Sequence, residues 1–172
     1  MTVFHKHAPS IMSNRRLPDG THLAVDFSPR LLSQSGFILP VEVSTASEFR
    51  TSPLNLPLSS LVVVALFDTG ATCTSIDLSL AKHLNLQVLG KSSIRTAAGR
   101  RIVPSFAVDI AFPSTKLLPF HSLKINSCDL GFDLQANSPL KAQNIGLLIG
   151  RDIMERWHIV WNGPTSTIII CD

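Results

Sequence analysis

The chain has 172 residues, of which 45% are hydrophobic and 16% charged, and it carries a formal net charge of +3 at pH 7. A chain of this length fits a single domain, and this share of apolar residues excludes disorder over most of it. The mild positive charge comes without any RNA- or DNA-binding motif, so we interpret the basic residues as solvated surface and expect no nucleic-acid partner.

The first segment, residues 1–34, is polar with scattered proline and arginine. We expect it to be an N-terminal arm, flexible or loosely docked, ahead of a domain over residues 35–172. Met1–Asp19 lacks the apolar core of a signal peptide, and the longest apolar run, Leu61–Phe67, is too short to span a bilayer. We therefore expect a cytoplasmic protein without a membrane partner.

The remaining sequence indicates a mostly β domain, because eleven prolines and nine glycines separate short β-prone segments. The predicted strands are Gly36–Ser44, Leu61–Phe67, Ser75–Ile76, two arms of a hairpin over Ile94–Ala111, Leu123–Ser127, Leu130–Leu134, Ile145–Ile149, Ile159–Trp161 and Thr167–Cys171. Pro40 suits an edge strand or a bulge. Short helices are predicted over Leu78–Leu84, with Asp77 as the N-cap, and over Arg151–Trp157. The predicted loops are Ser47–Ser59, Pro113–Pro119 and Asn137–Asn144.

One motif carries chemistry: Asp68, Thr69 and Gly70 follow the apolar run Leu61–Phe67, and Ala71 comes next. An aspartate at the end of a buried strand is costly unless it is used. Two aspartates about 3 Å apart can share one proton, so that one activates a water while the other protonates a carbonyl. Gly70 allows a close backbone approach, and the Thr69 hydroxyl can hydrogen-bond to a matching loop. The alternative interpretation is an ordinary aspartate–glycine surface turn.

Cysteine and histidine indicate no further site. The three cysteines and six histidines show no metal-ligand spacing, so we expect no metal and no cofactor. Cys73, which follows Asp68 by five residues, is expected to be a small buried hydrophobic residue. The alternative for Cys73 is a redox-sensitive thiol near the acid.

Three motifs in this order resemble the retropepsin-like aspartic proteases. The motifs are Asp68-Thr69-Gly70-Ala71, the hairpin tip Ala97-Ala98-Gly99, and Leu148-Ile149-Gly150-Arg151-Asp152 before a short helix. The turn Trp161-Asn162-Gly163-Pro164 and the final strand look closest to the bacterial branch. The resemblance covers residues 36–172. It implies a mostly β, closed-barrel acid-protease fold with one or two short helices and one lobe per chain.

The resemblance also implies an aspartic endopeptidase that acts on an extended polypeptide as a homodimer. Each chain would contribute Asp68 to the catalytic pair, and no metal or cofactor would take part. The remaining implied site residues are Thr69, Gly70 and Ala71 in the catalytic loop, Thr96, Ala97, Ala98 and Gly99 in a flap over the substrate, and Gly150, Arg151 and Asp152 as a structural motif. Family members interleave terminal strands between subunits, so Thr167–Cys171 is expected to be exposed in a single chain. The alternative is a dimeric peptide-binding or assembly module with little or no proteolytic activity.

Two residues depart from relatives of this kind. Many retroviral members have an aspartate where this chain has Thr72, and that aspartate pairs with the arginine of the second motif. Arg151 is therefore expected to pair with Asp152, Asp77 or a backbone carbonyl instead. Ala71 lacks the hydroxyl that pepsin-type sites often place there, which predicts activity reaching from mildly acidic towards neutral pH.

Overall fold

The computed structural model describes residues 10–12, 22–26, 35–50, 59–96, 99–113, 115, 117–136, 144–164 and 166–171. The strands in these ranges are β1 (Ser10–Met12), β2 (His22–Asp26), β3 (Phe37–Thr45), β4 (Ser60–Phe67), β5 (Ser75–Asp77), β6 (Val88–Thr96), β7 (Gly99–Ala111), β8 (Phe120–Cys128), β9 (Ile145–Ile149), β10 (His158–Asn162) and β11 (Thr167–Cys171). The helices are α1 (Ser47–Arg50), α2 (Leu78–His83) and α3 (Arg151–Met154). None of these helices is long and apolar enough to cross a membrane.

Six strands close into a barrel. Their order is β3-β4-β9-β5-β8-β7, and β7 pairs back onto β3. The pairs β4–β9 and β5–β8 are parallel, whereas the other neighbours are antiparallel. Strand β6 lies outside this ring as the hairpin partner of β7. The expected fold class, a mostly β closed barrel with few short helices, is confirmed.

The core fills the barrel and covers both faces of its central strands. Val63, Val64 and Ala65 are consecutive in β4, and at most 1% of each is exposed, as the continuous apolar run predicts. Pro40 pairs with Val64 of β4, while the pairing of β3 with β7 begins only at Glu42. Pro40 therefore lies where β3 has a partner on one side, so the missing N–H of proline leaves no gap in a ladder.

A second sheet has the strand order β1-β2-β11-β10. Strand β2 belongs to the N-terminal segment and pairs along its five residues with β11, which pairs on its other side with β10. Ile168 and Ile170 of β11 are fully buried. The expectation that β11 is exposed in a single chain is therefore wrong, because its neighbours come from the same chain. The domain boundary after residue 34 stays a prediction.

One predicted strand does not form. Residues 130–134 are irregular, and the backbone N–H groups of Leu130 and Phe132 donate to the carboxylate of Asp77 at 2.8 and 3.4 Å. A side chain therefore takes the donors that a strand ladder would use, and the prediction for this segment is wrong.

One predicted loop begins as a helix. Residues Ser47–Arg50 form α1, and the N–H of Ser47 donates to the buried Asp109 at 3.3 Å. This carboxylate accepts from the first turn of α1, which favours the helix. The other residues of that loop, 51–58, lie outside the described ranges, as do 137–143 of the later loop.

Candidate active site

Asp68 lies where β4 ends, next to the end of β9. The two strands are parallel, and Phe67 pairs with Ile149 at their last residues. The N–H of Asp68 donates to the carbonyl of Ile149 at 3.0 Å, and the side chain of Asp68 is half-buried. Both chain segments therefore leave the barrel side by side, and the carboxylate lies at the strand end that the sequence predicted.

The carboxylate of Asp68 folds back onto its own loop. Its Oδ1 accepts from the N–H of Gly70 at 2.8 Å, and its carbonyl accepts from the N–H of Ala71 at 3.1 Å. A Cβ at Gly70 would lie only 3.0 Å from this Oδ1, so glycine makes room for the contact. Asp129 has a similar turn, with its Oδ1 3.3 Å from the N–H of Gly131. The local turn alone therefore does not distinguish Asp68 from a surface aspartate.

The segment after β9 fastens the loop that carries Asp68. The N–H of Arg151 donates to the carbonyl of Ala71 at 3.0 Å, and the N–H of Asp152 donates to that of Thr72 at 3.3 Å. These are the first N–H groups of α3, which have no partner inside the helix. The loop after Asp68 thus caps α3, and the two motifs hold each other in place.

The guanidinium of Arg151 adds two contacts to the same loop. Nη1 donates to the carbonyl of Thr69 at 2.8 Å, and Nη2 donates to the hydroxyl of Thr72 at 3.0 Å. The sequence predicted Asp152, Asp77 or a backbone carbonyl as the partner of Arg151, and the structure shows the backbone carbonyl of Thr69. Thr72 lies where many retroviral members have an aspartate, and its hydroxyl still accepts a hydrogen bond from Arg151.

Thr74 joins the two motifs from inside the protein, and the sequence analysis missed it. Its N–H lies 2.8 and 3.0 Å from the two carboxylate oxygens of Asp152, and its hydroxyl donates to Asp152 at 2.7 Å. The N–H of Gly150 donates to the Thr74 hydroxyl at 3.0 Å. Thr74 is fully buried, so the loss of these partners would leave polar groups unsatisfied.

Cys73 is exposed, so the expectation of a small buried hydrophobic residue is wrong. Its backbone carbon and oxygen face Gly150, where a Cβ would come within 2.5 and 2.8 Å of them. Because the backbone of Cys73 packs inward and Thr74 takes the buried position, the thiol points outward.

The predicted flap corresponds to the tip of the β6–β7 hairpin. Thr96 pairs with Gly99, and the Thr96 hydroxyl donates to the Gly99 carbonyl at 3.1 Å. Gly99 has φ +108°, which L side chains rarely adopt, so glycine suits the end of this turn. Ala97 and Ala98 lie outside the described residues. The hairpin is confirmed, and its role as a flap stays a prediction.

Asp77 has a structural role. As predicted, it caps α2: its Oδ1 accepts from the N–H and hydroxyl of Ser79 at 2.8 and 2.6 Å. Burial alone would raise the pKa of this carboxyl, but its hydrogen bonds to Ser79, Leu130 and Phe132 outweigh burial and lower the pKa. Burial raises the pKa of the nearby Cys128 thiol to about 12, with a further contribution from neighbouring carboxylates. The carboxylate of Asp77 therefore serves to hold α2 and the segment after β8 together.

No metal site is visible in the part of the chain that the structure describes, where no three histidine, cysteine or acidic side chains form a suitable group. The carboxylate of Asp77 accepts from the first turn of α2, and that of Asp152 accepts from Thr74 at the end of the Asp68 loop, so both make structural hydrogen bonds.

The chain is similar to a known protein family and to solved structures. A family model described as aspartyl protease matches residues 58–152, which is more than half of the chain and includes both motifs. A solved structure, a retropepsin-like aspartic protease from Rickettsia conorii, shares 13% identity over 87% of this chain and 89% of its own, with a TM-score of 0.49. The retroviral protease-like domain of Ddi1 from Leishmania major shares 16% identity over 73% of this chain and 81% of its own, with a TM-score of 0.38. No curated protein sequence matches. The match to the family model confirms the resemblance noted in the sequence: the chain belongs to the aspartyl protease family.

Proposed function

We propose that this protein is an aspartic endopeptidase that hydrolyses peptide bonds of an extended polypeptide, with Asp68 from each of two chains forming the catalytic pair. The observation that carries the proposal is the fastening of the Asp68 loop. Two backbone hydrogen bonds and both ends of the Arg151 guanidinium hold this short exposed loop. Such fixation serves catalysis, because an acid must be held within about 0.5 Å of its productive position.

In this proposal the two Asp68 carboxyl groups share one proton, because two negative charges about 3 Å apart cannot both persist. The ionised carboxylate takes a proton from water as the water oxygen attacks the peptide carbonyl carbon, and the other carboxyl protonates the carbonyl oxygen. In the tetrahedral diol that results, the carboxyl that took the water proton gives it to the nitrogen, and the now ionised carboxylate takes a proton from one hydroxyl as the C–N bond breaks. The amine leaves, and the pair again shares one proton. No step requires a metal or a cofactor.

Other residues support the pair. Thr69 and Ala71 set the loop conformation, since their carbonyls accept from Arg151. Gly70 makes room for the Asp68 carboxylate. The hairpin end from Thr96 to Gly99 would close over the bound polypeptide and exclude water.

The number of Asp-Thr-Gly motifs in the chain supports a homodimer. The chain contains one Asp-Thr-Gly sequence. A two-fold axis beside Asp68 would supply a second carboxylate from an identical loop, and such symmetric dimers are the commonest oligomers. The alternative of a non-proteolytic module rested on the aspartate missing at Thr72. The hydrogen bond from Arg151 to Thr72 weakens that alternative, because the loop stays fastened without the ion pair.

The direct test is Asp68→Asn beside a matched control, Asp129→Asn, which changes an aspartate in a similar turn. Each protein is incubated with a mixed peptide library from pH 4 to 7, and the products are identified by mass spectrometry. We expect site-specific cuts from the wild type and Asp129→Asn and none from Asp68→Asn. Retained cutting by Asp68→Asn would rule out the proposed mechanism.

A mixing experiment tests whether the site is shared between chains. Excess Asp68→Asn protein is equilibrated with a fixed amount of wild type before substrate is added. If each site needs two Asp68 residues, mixed dimers lack one and the activity of the wild type falls. Unchanged activity, with mixed dimers demonstrated by sedimentation of differently labelled chains, would contradict the shared site.

A further inference from the structure

A groove of about 520 Å³ lies beside the N-terminal end of β8, and none of its described lining residues belongs to the Asp68 loop. Its lining residues are Leu118, Pro119, Phe120, His121, Ser122, Leu123, Lys124, Arg156 and Trp157. This volume falls in the range of ligand-binding clefts and is large enough for a few side chains of a peptide.

Three basic side chains line the groove, and none of its described lining residues is acidic. They are His121, Lys124 and Arg156, and each is exposed. The guanidinium carbon of Arg156 lies 5.4 Å from the centroid of the Phe120 ring, a cation–π contact that positions the charge over the groove. Among the described residues no carboxylate forms an ion pair with Lys124 or Arg156. The groove therefore presents at least two cations that are available to an anionic ligand.

His121 is oriented by a buried carboxylate behind it. Its Nδ1 lies 3.2 Å from Oδ2 of Asp109, whose Oδ1 accepts from the N–H groups of Ser122 at 2.8 Å and Ser47 at 3.3 Å. Because a carboxylate can only accept, Nδ1 carries the hydrogen, and Nε2 is left for a partner from solution. The side chain of Asp109 is 8% exposed and that of His121 62%, so the negative charge lies beneath the imidazole.

The groove also has an apolar component. Leu118 is 68% exposed, although it is a large hydrophobic residue, and Trp157 forms the floor with only 8% exposed. The Trp157 ring packs edge-on against Phe120 at 5.7 Å between centroids. An exposed leucine beside two exposed cations favours a ligand that carries both an apolar side chain and negative charge.

We propose that this groove binds an acidic peptide segment in which carboxylate side chains flank an apolar residue. The carboxylates would meet Lys124 and Arg156, and the apolar residue would cover Leu118. A nucleic acid fits less well, because single strands bind by stacking bases on free aromatic faces. Here Arg156 covers the Phe120 ring and Trp157 is buried, so neither offers such a face.

The test uses the full chain with Asp68→Asn, so that no peptide is cut and the result does not depend on the proposed protease. A fluorescein-labelled peptide with glutamates on both sides of a phenylalanine is titrated, and binding is followed by anisotropy. The first variant adds Lys124→Glu and Arg156→Glu. The matched control adds Lys82→Glu and Lys91→Glu, the same change in charge at exposed positions of α2 and β6 that line neither the groove nor the hairpin end. Circular dichroism verifies that both are folded.

We expect the groove variant to weaken binding about tenfold or more and the matched control to weaken it less than about twofold, since charge-assisted contacts act only at short range. Leu118→Ser should weaken binding about threefold through lost apolar contact. A peptide with glutamine in place of glutamate should bind poorly. Absence of binding, equal losses in the two double variants, or tighter groove-dependent binding of a single-stranded oligonucleotide would each overturn the proposal.

Discussion

Gly150→Ala tests the coupling between the two motifs with a single methyl group. Gly150 has φ −92° and ψ −178°, an extended conformation that alanine adopts without strain. A Cβ there would lie 2.5 Å from the carbonyl carbon of Cys73 and 2.8 Å from the N of Thr74. Ordinary contact begins at 3.4 Å, so the shortest distance is too small by about 0.9 Å. Backbone on one side of the contact must therefore move.

The expected change in the free energy of unfolding of Gly150→Ala follows from two opposing effects. Overpacking costs about 1–3 kcal/mol, and this case belongs at the upper end because the obstructing atoms are backbone held by Asp152. Alanine also lowers the entropy of the unfolded chain, which stabilises the fold by about 0.4–1 kcal/mol. We expect a net loss of about 2 kcal/mol in the free energy of unfolding. If the Asp68 loop shifts by about 1 Å with Thr74, proteolysis should fall about 100-fold.

Urea unfolding at one fixed protein concentration measures the change in the free energy of unfolding, because the stability of the proposed dimer would depend on concentration. Gly163→Ala is the matched control, since a Cβ there has its nearest neighbour at 3.9 Å. Gly146→Ala should be intermediate, because a Cβ would meet side-chain atoms of Leu80 and Val63 at 3.0 Å, and those can adjust. A Gly150→Ala protein as stable and as active as Gly163→Ala would refute the reasoning.

Three further predictions concern single side chains. Asp77→Asn should lower the free energy of unfolding by about 2 kcal/mol near neutral pH, since the carboxylate accepts four hydrogen bonds. Because the folded-state pKa of Asp77 lies below 3.8, the difference in urea midpoint from wild type should hold above pH 3.8 and shrink below it. A difference that grows in acid would contradict this. Thr72→Asp should raise stability by about 0.5 kcal/mol by pairing with Arg151, and a thermal melt should lose this gain in high salt. Ala71→Ser should shift the acidic limb of the pH–rate profile to lower pH, because a donated hydroxyl favours the charged carboxylate; a shift to higher pH would be inconsistent.

Local sequence patterns predict much of this fold. Strand β11 spans the predicted residues Thr167–Cys171 and β9 the predicted Ile145–Ile149, because β-branched and apolar runs there are bounded by turn residues. The cap at Asp77 and the strand-end position of Asp68 also follow from neighbouring residues. These features depend on interactions within a few positions of the chain.

The sequence-based predictions are wrong or incomplete where contacts between distant segments of the chain determine the local structure. Thr74 and Asp152 are 78 residues apart, and nothing in either local sequence indicates their contact. Residues Leu130 and Phe132 have strand-like neighbours, but their N–H groups go to a carboxylate more than fifty positions earlier. The exposure of Cys73 depends on the same long-range contact, because the burial of Thr74 turns the preceding side chain outward.

The comparison of Asp68 with Asp129 shows which level of structure creates the candidate site. Both side chains accept a hydrogen bond from the glycine N–H two residues later, so the turn itself is not specific. Both also follow a strand with a parallel neighbour, since β4 pairs with β9 and β8 pairs with β5. The difference lies in what the neighbour supplies: the continuation of β9 supplies Arg151, whose backbone and guanidinium donate to the loop after Asp68, whereas β5 ends at Asp77, whose carboxylate accepts from the loop after Asp129. A chain that kept the Asp68 turn but lost the contacts from Arg151 should therefore keep the turn's hydrogen bond and lose the fixed position of the carboxylate.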